Sequence, residues 1–129
     1  MRKRPLKKTF FSSFKVAFRG IGFAFSSQKH MRMHTLAGCI MIVIGCFCQL
    51  KATEWAMVLF SITLVLLTEM LNTAIEISID LVTKKQKFRA MLSKDIAAGA
   101  VLIASFNAMV IGVIVLGPRL ILFLDGRLL

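Results

Sequence analysis

From Met33 to Leu50 the chain carries no Lys, Arg, Asp or Glu side chain, and two further apolar stretches follow it. One begins at about Glu54-Trp55 and runs to Val82; the other runs from about Ile96 to Leu124, interrupted late by Gly117-Pro118-Arg119. Each supplies the ~20 residues that the hydrocarbon core of a bilayer requires. Backbone groups in lipid have no water to bond, so such stretches are expected as helices. Hydrophobic residues make up 57% of the 129. A water-soluble fold of this size would leave large apolar patches uncovered. The expectation is therefore one all-α integral membrane domain over residues 1–129, with membrane helices at 33–50, 55–82 and 96–124.

Charge distribution adds an orientation. The formal net charge is +11, from 17 Lys+Arg against 6 Asp+Glu. Nine of the 17 precede Met33, and Lys84, Lys85, Lys87, Arg89 and Lys94 lie between the second and third apolar stretches. By the positive-inside rule the N-terminus and the 83–95 loop face the cytoplasm. The basic residues flank apolar segments, as they do beside anionic headgroups. A nucleic-acid surface would instead have to be water-facing, so nucleic acid is not an expected partner. Residues 7–29 read as a surface helix: Phe10, Phe14, Ala17, Phe18, Ile21 and Phe25 recur at helical spacing, with Lys7, Lys8, Lys15 and Arg19 off or beside that stripe. A basic, aromatic-faced helix of this kind lies in the membrane interface. Lys15 and Arg19 break any signal-peptide core, so no cleaved leader is expected. Cys39, Cys46 and Cys48 form neither a metal spacing nor a disulfide framework and read as small packing residues.

The second stretch is the chemically specific one. Glu69, Asn72, Thr73, Glu76 and Asp80 fall within an arc of roughly 100° on one helix face, while Leu71, Ile75 and Ile79 keep the opposite face apolar. Carboxylates within a membrane segment are costly and mark function by default. With the helix entering near Trp55, Glu69 lies in the inner leaflet, and Glu76 and Asp80 emerge towards the cytoplasmic headgroups. Glu69, Glu76, Asp80 and Asp95 bracket the basic loop. Carboxylates beside lysines suit Mg²⁺ with phosphate oxygens, the lysines supplying charge to a polyphosphate. For Lys84, Lys85 and Lys87, plain topology accounts for the charge equally well; Lys94-Asp95, at the mouth of the third stretch, points to function. No GxxxxGK[ST] loop occurs, so nucleotide chemistry would rest on helix-borne side chains. Ala97, Ala98, Gly99, Ala100 and Ala104 read as a close-packing face.

Glu69-Met70-Leu71-Asn72-Thr73-Ala74-Ile75-Glu76 with Asp80, and Lys94-Asp95-Ile96-Ala97-Ala98-Gly99-Ala100-Val101, resemble the two signature blocks of the prokaryotic diacylglycerol kinase family. The likeness extends from about Phe18 to Pro118. It implies a homotrimer of three-span subunits with an N-terminal surface helix, in the bacterial inner (cytoplasmic) membrane, using ATP and Mg²⁺. It implies Glu69 as general base towards a lipid hydroxyl, Asn72 ordering the site, and Glu76 on the metal. Lys94 and Asp95 would contact the nucleotide, with Asp80, Lys85 and Lys87 at its end of the site. Positioning and charge neutralisation would then carry the transfer. At Gln28 the family's better-known members place a glutamate as a second metal ligand; an amide oxygen there can ligate but brings no charge.

Met31-Arg32-Met33-His34 and Glu54-Trp55 look more like the undecaprenol-kinase branch, which favours undecaprenol over diacylglycerol as lipid substrate. Two other classes compete. Glu69 could be the carrier carboxylate of a small proton- or ion-coupled transporter, for which the continuation to Asp80 and the Lys94-Asp95 pair would be superfluous. Gln28 is the argument for a catalytically weakened scaffold of the same fold.

Overall fold

The computed structural model describes residues 10–83 and 87–125 as four helices: α1 Phe10–Ser27, α2 Lys29–Phe47, α3 Ala52–Val82 and α4 Phe88–Leu124. The architecture is all-α, and α2, α3 and α4 are each long and apolar enough to cross a membrane. α3 is the central element. It packs most extensively on α4, next on α2, and more lightly on α1.

The α2–α3 turn is closed by backbone geometry. Gln49 takes the left-handed conformation (φ 49°), the N–H of Gln49 donates to Cys46 O at 3.3 Å, and that of Leu50 donates to Gly45 O at 3.3 Å. This is a Schellman cap with glutamine in the position that glycine occupies most cheaply. The turn folds Cys48 and Leu50 onto Val58, Val115 and Leu116, the buried apolar cluster of the bundle. Gly45 makes this possible, since a Cβ there would lie 2.9 Å from the Trp55 ring and 3.0 Å from Leu50.

Glu54, in the first turn of α3, accepts the N–H of Lys51 at 2.7 Å. The same carboxylate takes a two-pronged bond from Arg119, Nε at 3.1 Å and Nη2 at 2.7 Å. One side chain thus caps α3 and fixes the last turns of α4 beside it. Here the expected interruption at Gly117-Pro118-Arg119 is corrected: α4 continues through Pro118 to Leu124. Proline only deletes one helical donor and crowds the preceding turn, and the ion pair at the next residue holds the helix against its neighbour.

Other boundaries also shift. α4 begins at Phe88, not at Ile96, so the loop expected over 83–95 shortens to the link between Val82 and Phe88. α2 begins at Lys29, four residues before Met33, and α3 at Ala52. Apolarity marks where a helix meets lipid, whereas its start follows the last residue in extended backbone, here Gln28 for α2 and Lys87 for α4. At 31 and 37 residues, α3 and α4 reach about 46 and 55 Å, well beyond a ~30 Å hydrocarbon core. α1 covers the Phe10–Ser27 part of the expected 7–29; residues 7–9 lie outside the described residues. Its aromatic stripe remains largely exposed, with Ala24 the buried contact near its end. Of the cysteines, Cys48 packs in the core as expected, but Cys39 and Cys46 are exposed on α2.

Gln49→Gly should raise the stability of the protein in detergent by about 1 kcal/mol, because glycine carries no penalty in the left-handed region. Gly45→Val should lower it by about 1–3 kcal/mol through overpacking. Thermal unfolding followed by the fluorescence of the single tryptophan, Trp55, reads both.

Candidate functional site

The buried face of α3 is Val58, Ser61, Val65, Glu69 and Thr73. These positions are spaced by three or four residues, so they form one continuous stripe, and that stripe changes from hydrocarbon to carboxylate without leaving the core. Glu69 is only 5% exposed. The opposing face of α4 buries Ala97, Val101, Ala104 and Gly112. Small residues there allow the two helices a close approach.

Three polar pairs climb α3 from that point. Glu69 Oε1 lies 3.3 Å from Nε2 of His34 on α2. One turn further, Asn72 Nδ2 donates to Glu76 Oε1 at 3.1 Å. Near the end of the helix, Asp80 Oδ1 accepts from Lys94 Nζ of α4 at 2.6 Å, with both side chains open to solvent. Thr73, expected on the same face, is buried and turns its hydroxyl back to the carbonyl of Glu69 at 2.9 Å. From Glu69 to Asp80 the rise is about 16 Å. The face therefore passes from a buried carboxylate to an exposed ion pair.

Asn72 singles out the middle of this gradient. Its amide nitrogen is used by Glu76, but its Oδ1 is buried with no hydrogen-bond partner. A buried acceptor left open beside a carboxylate is a costly arrangement in a finished core. It suits a site that completes itself with a ligand. Both donors are hard oxygens, the kind Mg²⁺ takes alongside phosphate and water oxygens. No group of three or more His, Cys, Asp or Glu side chains able to hold a metal occurs among the described residues. Mg²⁺ does not need one, since one or two carboxylates plus substrate phosphates suffice. The residues fit Mg²⁺ bound together with a polyphosphate.

The other expected site residues lie further out. Asp95 is exposed beside Lys94, and Lys87 is exposed where α4 begins. Gln28 is half-buried at the break between α1 and α2, extended (φ −108°, ψ 120°), with no side-chain capping bond. Lys85 lies outside the described residues, as does Lys84. His34 was legible in sequence only as part of a branch-like tetrapeptide. The signal that would have found it is a titratable ring one turn inside an apolar span.

An open apolar groove of about 530 Å³ begins at His34 and runs between α2, α3 and α4, along Gly38, Met41, Val65 and Gly112 towards Leu120. Its walls match a hydrocarbon chain, and its polar end lies beside Glu69.

A family model described as Prokaryotic diacylglycerol kinase matches residues 15–116. A diacylglycerol kinase from Synechocystis sp. is 36% identical over 128 aligned residues, covering 92% of this chain and 73% of that protein. An undecaprenol kinase from Bacillus subtilis is 35% identical over 111 residues, 86% of this chain and 90% of the relative. The diacylglycerol kinase of Escherichia coli is 28% identical over 94 residues, 73% of this chain and 77% of the relative. With the matched region spanning most of α1 to α4, the chain belongs to the prokaryotic diacylglycerol kinase family and is a membrane lipid kinase.

Proposed function

We propose that this kinase transfers the γ-phosphate of ATP to the primary hydroxyl of a long-chain lipid alcohol, with undecaprenol favoured over diacylglycerol. The observation that carries the reading is the order of groups along α3: a buried carboxylate at Glu69, then the open amide oxygen of Asn72 beside Glu76, then the exposed Asp80–Lys94 pair. A lipid hydroxyl reaches Glu69 from the groove, and a polyphosphate reaches Asn72 and Glu76 from the water side.

In this reading Glu69 accepts the hydroxyl proton as the lipid oxygen bonds to the γ-phosphorus and the bond to ADP breaks. Asn72 holds Glu76 through its amide and offers Oδ1 to the metal site. Lys94 carries charge to the polyphosphate, with Asp80 fixing its ammonium, and Asp95, Lys85 and Lys87 stand on the nucleotide side. Mg²⁺ bound with ATP would neutralise phosphate charge and fix the geometry of the transferred group. Undecaprenol is supported by the likeness of Met31-Arg32-Met33-His34 and Glu54-Trp55 to that branch and by the near-complete coverage of the Bacillus subtilis relative. The similar identity to the Synechocystis protein keeps diacylglycerol as the alternative.

The whole chain acts as one domain in the bacterial inner membrane. The N-terminus and the link after Val82 face the cytoplasm, because the Lys and Arg residues collect there. A homotrimer is the proposed assembly. Supporting it are the exposed apolar face at Leu71 and Ile75 of α3 and a metal site that one chain supplies only in part. Gln28 favours a second reading, a kinase weakened at its metal site.

Four outcomes are expected. In mixed micelles with labelled ATP, undecaprenol should be phosphorylated faster than diacylglycerol, and Glu69→Gln should lower turnover by at least about 100-fold; full activity in that variant removes Glu69 as the base. Lys94→Met should change unfolding stability by no more than about 1 kcal/mol, since its ion pair is solvent-exposed, while turnover falls by at least tenfold, on the order of a lost charge contact to phosphate. Gln28→Glu should lower the Mg²⁺ concentration needed for half-maximal rate; an unchanged Mg²⁺ dependence places Gln28 outside the metal site.

A further inference from the structure

His34 is not accounted for by the transfer chemistry above, yet it stands at the point where lipid and carboxylate meet. Its Nε2 is 3.3 Å from Glu69 Oε1; its side chain is 29% exposed and that of Glu69 7%. The imidazole also lines the polar end of the apolar groove. It therefore stands at the junction between the buried carboxylate and the space a lipid chain can enter. One turn along α2, Gly38 brings the helices together: a Cβ there would lie 3.0 Å from Cγ2 of Ile62. That close approach lets an imidazole span the gap from α2 to α3.

A histidine in a hydrocarbon wall could simply be a satisfied core residue, with Glu69 as its partner. Two features argue for more. The ring lines the groove that a lipid chain can enter, so it stands on the substrate side of the carboxylate. And the group it touches is the carboxylate proposed to receive the substrate proton, whose usefulness depends on its direction as much as its presence.

We propose that His34 is a positioning residue for the kinase reaction: the Nε2 edge of its ring, 3.3 Å from Oε1 of Glu69, fixes that oxygen and leaves Oε2 directed at the lipid hydroxyl entering from the groove. This rests on the reading of Glu69 as the general base. His34 takes no part in the proton transfer. The hydroxyl proton passes to Glu69, the lipid oxygen–phosphorus bond forms, and the bond to ADP breaks. The residue thereby links the lipid-binding groove to the base, a role that no group on the nucleotide side can fill.

The test compares three substitutions in mixed micelles, measuring kcat and the KM values for undecaprenol and ATP separately. His34→Gln places an amide N–H near the position of Nε2 and should keep kcat within about threefold of the unsubstituted protein. His34→Asn is too short to do so, and His34→Leu has no donor; each should lose about 10- to 100-fold in kcat, the scale of a lost orienting partner, with KM for ATP unchanged. Equal losses for Gln and Asn overturn the proposal. So does a full kcat for Leu, or a loss confined to the KM for lipid, which would make His34 only a wall of the groove. If the Leu variant does not fold, the Gln–Asn pair decides alone. Activity retained in Glu69→Gln would remove the base and the inference with it. Activity lost there but retained in all three His34 variants would remove the inference and leave the base standing.

Discussion

The close approach of α3 to the small-residue face of α4 is the constraint on which the rest depends. Ala97 and Ala104 keep side-chain bulk low along the buried face of α4, so the stripe Val58–Ser61–Val65–Glu69–Thr73 can lie against it, while Gly112 makes room for Met41 of α2. Lipid supplies no hydrophobic force between two apolar helices, so packing of this kind has to come from van der Waals contact at short range. Glu69 lies on that same stripe, 5% exposed, with His34 of α2 against its Oε1.

The two ends of the bundle are fastened by different means. At the α2–α3 turn, an apolar cluster around Cys48, Val58 and Val115 is combined with the Glu54–Arg119 pair. At the opposite end, Asp80 and Lys94 meet across α3 and α4 with both side chains in solvent. The first end is packed and fixed; the second is loosely joined and polar. In the proposed function the nucleotide approaches at the second, while the apolar groove runs from the middle of the molecule towards the first. On that proposal the two substrates come from different sides and meet at one helical turn, Glu69 to Asn72 and Thr73.

The family assignment and this geometry bear on different questions. Similarity over residues 15–116 assigns a lipid kinase. The arrangement around Asn72 gives a physical reason for such chemistry on a helix with no nucleotide-binding loop: a buried, open amide oxygen beside a carboxylate. In the proposed function, positioning on helices takes the place of a phosphate-cradling backbone.

The apolar runs and the acidic stripe were legible in the residues alone, because lipid imposes length and helicity on any spanning segment and because a 3.6-residue period aligns Glu69, Asn72, Glu76 and Asp80 whatever surrounds them. Contacts between helices were not. That Asn72 keeps an open oxygen, that Arg119 crosses to Glu54 and carries α4 past Pro118, and that His34 reaches Glu69 across a gap narrowed by Gly38 all depend on interhelical distance and rotation. Sequence period fixes which residues share a face of one helix; only packing decides what that face meets.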